Sequence, residues 1–315
     1  MELKPEGIIK KHIPLVLFAL LMASLPLFIS NYEAKILVFA GINAILAIGL
    51  CLLMGYAGQI SLGHAAFYGI GAYSSAILTT KYGASVWLGF LAAIVLSALV
   101  ALLIGIPSLR LKGHYLAMAT LGFGEIMSVL FNETDVITNG PEGIVSIPPI
   151  SFGKFILVTA QHYYYLVWGI AILLLAVAIN IIHSRVGRAL RALHGGEIAA
   201  QAMGVNTSKY KIQIFVLSAV YGGIAGSLYA HFVNFINPSP FTLIYSIVLV
   251  LIVVLGGMGR IWGAVVGALV LTLLPEYLRV FQEYNLIIYA LILILMMVST
   301  FCVRALIFRP NKFTP

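Results

Sequence analysis

The chain has 315 residues, of which 62% are apolar and 9% are charged, and its mean hydropathy is +1.07. A soluble domain carries about 25% charged and about 45–50% apolar residues. The composition therefore excludes a water-soluble globule and, for the opposite reason, a disordered chain. The formal net charge of +8 suits basic loops at a membrane surface better than nucleic-acid binding. We expect an integral membrane protein that binds no nucleic acid.

Long uninterrupted apolar runs indicate helices, because the strands of a membrane β-barrel would alternate in polarity over segments of about ten residues. A helix needs about 20 apolar residues to cross a hydrocarbon core about 30 Å thick. The predicted fold class is all-α: a polytopic helical membrane protein with about 8–10 transmembrane helices, forming a single domain over residues 1–315. The predicted spans are 12–30, 36–54, 64–80, 86–107, 113–131, 163–182, 212–233, 241–255, 262–280 and 285–303.

The distribution of Lys and Arg predicts the orientation of these spans. If the amino terminus is cytoplasmic and every span crosses, most of the 18 basic residues lie inside. Cytoplasmic loops normally show this excess, so both termini are expected in the cytoplasm. Residues 132–162 then form an outer loop and residues 183–211 an inner loop. The basic residues left outside are Lys35, Lys81, Lys154 and Arg279.

The sequence lacks motifs for ATP hydrolysis and for enzymatic catalysis. A P-loop requires Gly-x-x-x-x-Gly-Lys-Ser/Thr, whereas the only Gly-Lys pair, Gly153–Lys154, precedes Phe155. His-Glu-x-x-His, Gly-x-Ser-x-Gly and Cys/His ligand clusters are also missing. The two cysteines, Cys51 and Cys302, lie in apolar runs, which favours core positions. We predict no catalytic residue, no metal site and no cofactor.

One acidic residue lies well inside a predicted span. Glu125 is placed about two-thirds of the way along the span 113–131, toward the outer side. Ionisable groups inside a bilayer are costly and often functional, but a carboxylate can also bond to a neighbouring helix or reach outward. An ion-coupled carrier with Glu125 as its ion site therefore remains open. His64, His114 and His231 lie near span ends, which suits interface positions better than a proton relay.

Glycines interrupt the apolar sequence between the second and third predicted spans, and polar residues alternate with them. This pattern is typical of a helix break that exposes backbone to a pathway, and equally of close helix packing. The residues concerned are Gly55, Gly58, Gln59, Ser61, Gly63 and His64.

Other glycines recur at four-residue spacing, which places small residues on one helix face and favours helix packing. They are Gly222 with Gly226, and Gly259 with Gly263 and Gly267. In addition, residues 55–60 weakly resemble residues 256–261, which suits either a parallel repeat or chance.

The predicted inner loop contains a short helix, Glu197–Gly204. Glu197 lies in its first turn, where the helix dipole favours an acid, and Gly204 suits a left-handed stop. A residue among 206–208 is expected to cap the next helix. Such a helix suits the groove of a partner, although a plain connecting helix also fits the pattern. Its small apolar stripe consists of Ile198, Ala202 and Met203.

Two of these segments carry a family resemblance. Glu-x-Ala-Ala followed by Gly in residues 197–204 resembles the EAA loop of bacterial ABC-importer permeases. Residues 55–73, Gly-Tyr-Ala-Gly-Gln-Ile-Ser-Leu-Gly-His-Ala-Ala-Phe with Gly-Ile-Gly-Ala-Tyr, are similar to the M-type permease subunits (LivM-like) of branched-chain amino-acid importers. The resemblance extends over roughly residues 35–298 and includes 138–144, 187–192, 218–226 and 256–276.

The resemblance implies a multi-pass permease of the bacterial inner membrane with no catalytic role of its own. It implies three kinds of partner: a second, H-type permease, two ABC ATPase subunits that hydrolyse ATP, and an extracytoplasmic substrate-binding protein. The ATPases would couple through Glu197, Ala199, Ala200 and Gly204. Branched-chain amino acids are the expected substrates. Importers of urea or short amides have closely similar permeases, so that alternative stays open beside the ion-coupled carrier.

Overall fold

The computed structural model describes residues 5–278, except residues 28, 110, 112, 153 and 154. Helices dominate this part of the chain, which confirms the all-α class. The long helices are α1 (Pro5–Ser24), α2 (Asn31–Cys51), α3 (His64–Thr80), α4 (Val86–Ser108), α5 (His114–Glu133), α7 (Ala160–His183), α10 (Thr207–Val233), α11 (Leu243–Gly256) and α12 (Ile261–Leu278). The short helices are α6 (Asp135–Thr138), α8 (Arg185–Gly195) and α9 (Glu197–Ala202).

Five helices of the described part are long and apolar enough to cross a membrane: α2 with its continuation to Tyr56, α4, α5, α7 and α10. Helices α1, α3, α11 and α12 coincide with the other predicted spans within the described residues, but their apolar parts are shorter. The predicted span 285–303 lies outside the described residues.

Helix ends depart from the predicted spans wherever polar residues continue a helix beyond its apolar part. Helix α10 begins at Thr207 rather than at residue 212, because Asn206 caps it by accepting a hydrogen bond from the Lys209 amide at 3.1 Å. Helix α2 begins after Ser30, which forms a capping box with Glu33. Hydropathy locates the apolar stretch of a helix, whereas the cap fixes where the helix starts.

Helices α2 and α10 form the centre of the bundle, with 83% and 67% of their most apolar stretches buried. Helix α10 packs against α2, α3 and α4, and α2 packs against α7 and α12. Cys51 is buried in this core, as predicted. The glycine spacing of α10 has the predicted packing role, because side chains at Gly222 and Gly226 would collide with Phe67 and the Tyr68 carbonyl of α3.

The segment 132–162 folds over one end of the bundle in short pieces. Its strands are β1 (Ile144–Val145), β2 (Ser151–Phe152) and β3 (Phe155–Ile156); β1 pairs with β4 (Phe235–Ile236) and β2 with β3, both antiparallel. Positive φ angles at Asn139, Gly140 and Gly143 mark tight turns within this segment.

A buried hydrogen-bond chain fastens this segment to the helices. The Nδ1 atom of His231 lies 2.7 Å from the Pro148 carbonyl, and its Nε2 atom lies 2.9 Å from Ser75 Oγ. The Tyr163 hydroxyl donates to the His231 carbonyl and accepts from the Ile150 amide. The ring of His231, which was expected near the outer end of its span, is fully buried within this network.

Candidate functional site

The segment 183–211 lies at the opposite end of the bundle and is built around α8. The side of α8 that faces the bundle carries Gly187, Leu190 and Leu193, whereas Arg188 and Arg191 are exposed. Gly187 permits the tight entry from α7, since a Cβ there would collide with the Ile182 carbonyl. The amphipathic α8 is thus a platform on which the next helix rests.

Helix α9 is a single short helix held on both sides. The Glu197 carboxylate pairs with Lys211 Nζ of α10 at 2.6 Å, and Gln201 Nε2 donates to Thr207 Oγ1 at 2.8 Å. Gly204 has φ +80°, so the predicted left-handed stop is confirmed. The ion pair was not predicted, because it joins two helices across a turn.

The outward side of α9 is apolar. The side chains of Ile198 and Met203 are 77% and 84% exposed, and Ala199 is also exposed. Ala200 was expected to contact a partner, but it is buried against its own loop, and its carbonyl accepts from the Val205 amide at 3.0 Å. The exposed surface of α9 and its C-cap therefore consists of Ile198, Ala199, Gln201, Ala202 and Met203.

A cleft of about 500 Å³ opens beside α9. Its basic side chains are Arg185 and Arg188 of α8 and Lys209 of α10, and Gly204 and Tyr210 complete its walls. The sequence did not predict this cleft, because its charges come from two helices separated by the α9 turn. It places a positive surface next to the apolar face of α9.

We call residues 55–64 the first glycine break and residues 256–261 the second glycine break. The first break contacts both α8 and the second break. After a π-helical turn at Leu52–Tyr56, a side chain at Gly55 would lie 2.5 Å from the Gly259 amide nitrogen. Gly58 has φ +67°, and a side chain there would lie 2.9 Å from His194 Nδ1. The segments 55–60 and 256–261, whose sequences resemble each other, are therefore neighbours, and α8 rests on the first of them.

The polar residues of the first break are buried rather than open to a cavity. Gln59, Ser61 and His64 are each less than 5% exposed, and the position near a span end that was expected of His64 stays a prediction. Both Gln59 amide atoms, Ser61 Oγ and His64 Nε2 have no hydrogen-bond partner in the described part of the chain. A side chain at Gly63 would collide with the Thr120 carbonyl of α5. Gly55 and Gly63 are thus packing positions in this conformation.

Glu125 lies on the exposed side of α5, away from the first break. Phe123 and Gly124, on the buried side of the same helix, contact α3 and the backbone of Gly63 and Leu62. Among the described residues, no group of three or more His, Cys, Asp or Glu side chains could hold a metal ion.

The sequence model of the family described as "Branched-chain amino acid transport system / permease component" matches residues 33–297. The chain belongs to this permease family. Its match includes both glycine breaks, α5 and the whole segment 183–211. No solved structure matches the chain.

Individual relatives of this permease carry more specific names. It is 34% identical over 313 residues to the high-affinity branched-chain amino acid transport system permease protein LivM of Escherichia coli K12, covering 92% of this chain and 74% of the relative. It is 28% identical over 277 residues to LivH of Salmonella typhimurium LT2, covering 81% and 88%. It is 30% identical over 295 residues to the ribose import permease protein RbsC of Escherichia coli K12, covering 89% of each.

Proposed function

We propose that this chain is the M-type transmembrane subunit of an ATP-driven importer of branched-chain amino acids in a bacterial inner membrane. In this proposal it forms the translocation path with a second, H-type permease, while two ABC ATPase subunits supply energy and an extracytoplasmic binding protein delivers the substrate. The likeness to LivM supports the substrate class. The likeness to LivH supports a pair of permeases that share one fold.

The observation that carries the proposal is the exposed apolar face of α9. The exposed Ile198 and Met203 side chains, on a short helix outside the spans, have no folding role. Covering either side chain with a partner's groove removes apolar surface from water and so contributes favourably to the free energy of binding. The basic cleft at Arg185, Arg188 and Lys209 adds attraction for an acidic rim. We assign this face to contact with an ATPase subunit.

The contacts of α9 provide a route from that face to the spans. Its first turn is tied to α10 through the Glu197–Lys211 pair, and α10 lies in the centre of the bundle. His194 of α8 contacts Gly58 of the first break, and Gly55 of the same break contacts Gly259 of the second break. Closure of the ATPase dimer would move α9 and, through these contacts, rock α10 and the two breaks, giving alternating access.

The test introduces a charge on the docking face. Ile198→Asp and Met203→Asp are expected to insert normally, because neither side chain packs against the bundle, but to lose ATPase subunits on co-purification of the complete importer. Ser208→Asp is the matched control, an exposed residue of the same segment outside α9. If both α9 variants retain the ATPases and show the parent's ATP turnover with loaded binding protein, α9 is only a connector and the docking assignment is wrong.

The substrate is tested separately in the same vesicles. We expect ATP-dependent uptake of radiolabelled leucine, isoleucine and valine when the system's own binding protein is present. Uptake of urea or of a short amide instead would favour the related importers that use similar permeases. The ribose permease relative makes ribose the informative negative control.

A further inference from the structure

Helices α4 and α5 are buried to the same small extent but differ in polarity. In each, 28% of the most apolar stretch is buried, yet the mean hydropathy of that stretch is 2.7 in α4 and 1.3 in α5. The large exposed side chains of α4 are all apolar, as in Leu91, Leu96 and Leu103. This is the composition expected of a helix surface in contact with lipid. Helix α5 also exposes apolar side chains, such as Tyr115, Ile126 and Leu130, but the carboxylate of Glu125 lies among them.

The outward face of α5 carries a stripe of four residues at helical spacing: Met118, Gly122, Glu125 and Val129. We call these residues the α5 stripe. Met118 and Val129 are strongly exposed, and nothing lies within 4 Å of a side chain placed at Gly122. The stripe is therefore a shallow, unfilled surface in the described part of the chain.

The position of Glu125 on the stripe is too deep for its side chain to reach the headgroups. Glu125 precedes Glu133, at the end of α5, by eight residues, which is about 12 Å along the helix at about 1.5 Å per residue. Its carboxylate makes no hydrogen bond or ion pair with another described residue. A carboxylate facing lipid at this depth would cost several kcal/mol, whereas one that faces water would not.

We infer that the α5 stripe lines the water-filled translocation path, and that Glu125 contacts the ammonium group of the amino acid as it passes. This inference rests on the proposed function, since the path and the substrate class come from it. A zwitterionic amino acid loses part of its hydration inside a membrane. A fixed carboxylate offsets part of the free-energy cost of dehydrating its ammonium group. Because a single carboxylate binds an ammonium group weakly, the substrate is also released.

The first experiment measures whether the α5 stripe is accessible to water. Single cysteines replace Glu125 and, as a control at similar depth on α4, Leu96, in a background with Cys51 and Cys302 replaced. A charged methanethiosulfonate reagent is added to proteoliposomes that contain the complete importer. We expect Glu125→Cys to react and Leu96→Cys not to react. If both are unreactive, or react equally slowly, the α5 stripe does not face water and the inference is overturned.

The second experiment measures the ammonium contact. We expect Glu125→Gln to lower the rate of leucine uptake about tenfold while the second permease and the ATPases still co-purify, and Glu125→Asp to retain most of the parent's rate. Uptake by Glu125→Gln at the parent's rate would overturn the substrate contact. Loss of the second permease from Glu125→Gln would also overturn it, because Glu125 would then be a contact between permeases.

These outcomes are distinguishable from failure of the proposed function. If the parent complex imports no branched-chain amino acid with ATP, the proposed function fails, whereas the thiol labelling still reports whether the α5 stripe faces water. Leu96→Gln on α4 is the control for uptake, since it adds the same amide to a surface that we assign to lipid.

Discussion

The two polar segments of this permease are attached to the bundle in opposite ways. The segment 132–162 is fastened by hydrogen bonds, buried or part-buried, that run through His231, Tyr163 and Asn234. The segment 183–211 packs on the bundle through the buried face of α8, its helix α9 is joined to α10 by an ion pair and a side-chain hydrogen bond, and it leaves apolar and basic side chains exposed. The first arrangement produces a fixed cap, and the second produces a surface that suits a moving partner. Substitutions in the first should therefore affect stability, and those in the second should affect coupling.

The largest effect is expected at His231. Replacing it by leucine leaves the part-buried Pro148 carbonyl without its ring partner, while Ser75 Oγ keeps the hydrogen bond that it accepts from Ser227 Oγ. Each unpaired buried group costs about 1–3 kcal/mol, so we expect a destabilisation in that range and a clear fall in Tm of the purified permease in detergent. His114→Leu, at an exposed histidine, is the control. Equal melting of the two variants would show that the chain of hydrogen bonds does not fasten the cap.

A smaller loss is expected at Asn234, which has φ +60° and donates from its side-chain amide to the Ile147 carbonyl at 2.7 Å. Asn234→Ala should cost about 1–2 kcal/mol, since alanine is disfavoured at positive φ and the hydrogen bond is lost. Asn234→Gly removes only the hydrogen bond, so it should be the milder change. Thermal melting measures both, and a glycine variant as unstable as the alanine variant would contradict a backbone contribution.

At the other end, Lys211→Met removes the partner of Glu197. We expect a loss of stability of about 1 kcal/mol, but a several-fold fall in substrate-stimulated ATP turnover, because α9 would lose its ion pair with α10 and keep the weaker Gln201–Thr207 hydrogen bond. Lys211→Arg should restore most of the turnover. A Lys211→Met variant with a lowered Tm and full ATP turnover would show that the pair serves stability and not coupling, which is the opposite of what we expect for this segment.

The smallest structural effect is expected from single cysteines at Pro141 and Ser208, which are both exposed in their segments. On a background without Cys51 and Cys302, an impermeant thiol reagent added to intact cells should label Pro141→Cys and not Ser208→Cys. This tests which segment is extracytoplasmic. The reverse pattern would place α9 outside and remove the docking assignment.

Much of the helical framework could be predicted from the sequence, because apolar runs and glycine spacing are local signals. The left-handed stop at Gly204 and a cap among residues 206–208 were predicted for the same reason, and both are present. The burial of Ala200 and of His231, and the Glu197–Lys211 pair, depend on which helices become neighbours. A single sequence without observable covariation does not contain that information, so these features required the structure.

Part of the candidate site on the segment 183–211 could also be predicted from the sequence. The short helix α9 and its apolar stripe follow from the sequence. The contact between Gly55 and Gly259 does not follow from it, although the likeness of the two segments was a signal that could have suggested their proximity. The basic cleft was missed because its side chains come from two separate helices.

We propose that this permease takes its energy from ATP through α9 rather than from an ion gradient through Glu125. Leucine uptake into vesicles that contain the complete importer with ATP trapped inside, with and without an uncoupler, distinguishes the two energy sources. We predict that uptake requires ATP and is unchanged when the proton gradient is collapsed at constant ATP. Uptake that stops on uncoupling while ATP remains would instead identify an ion-coupled carrier.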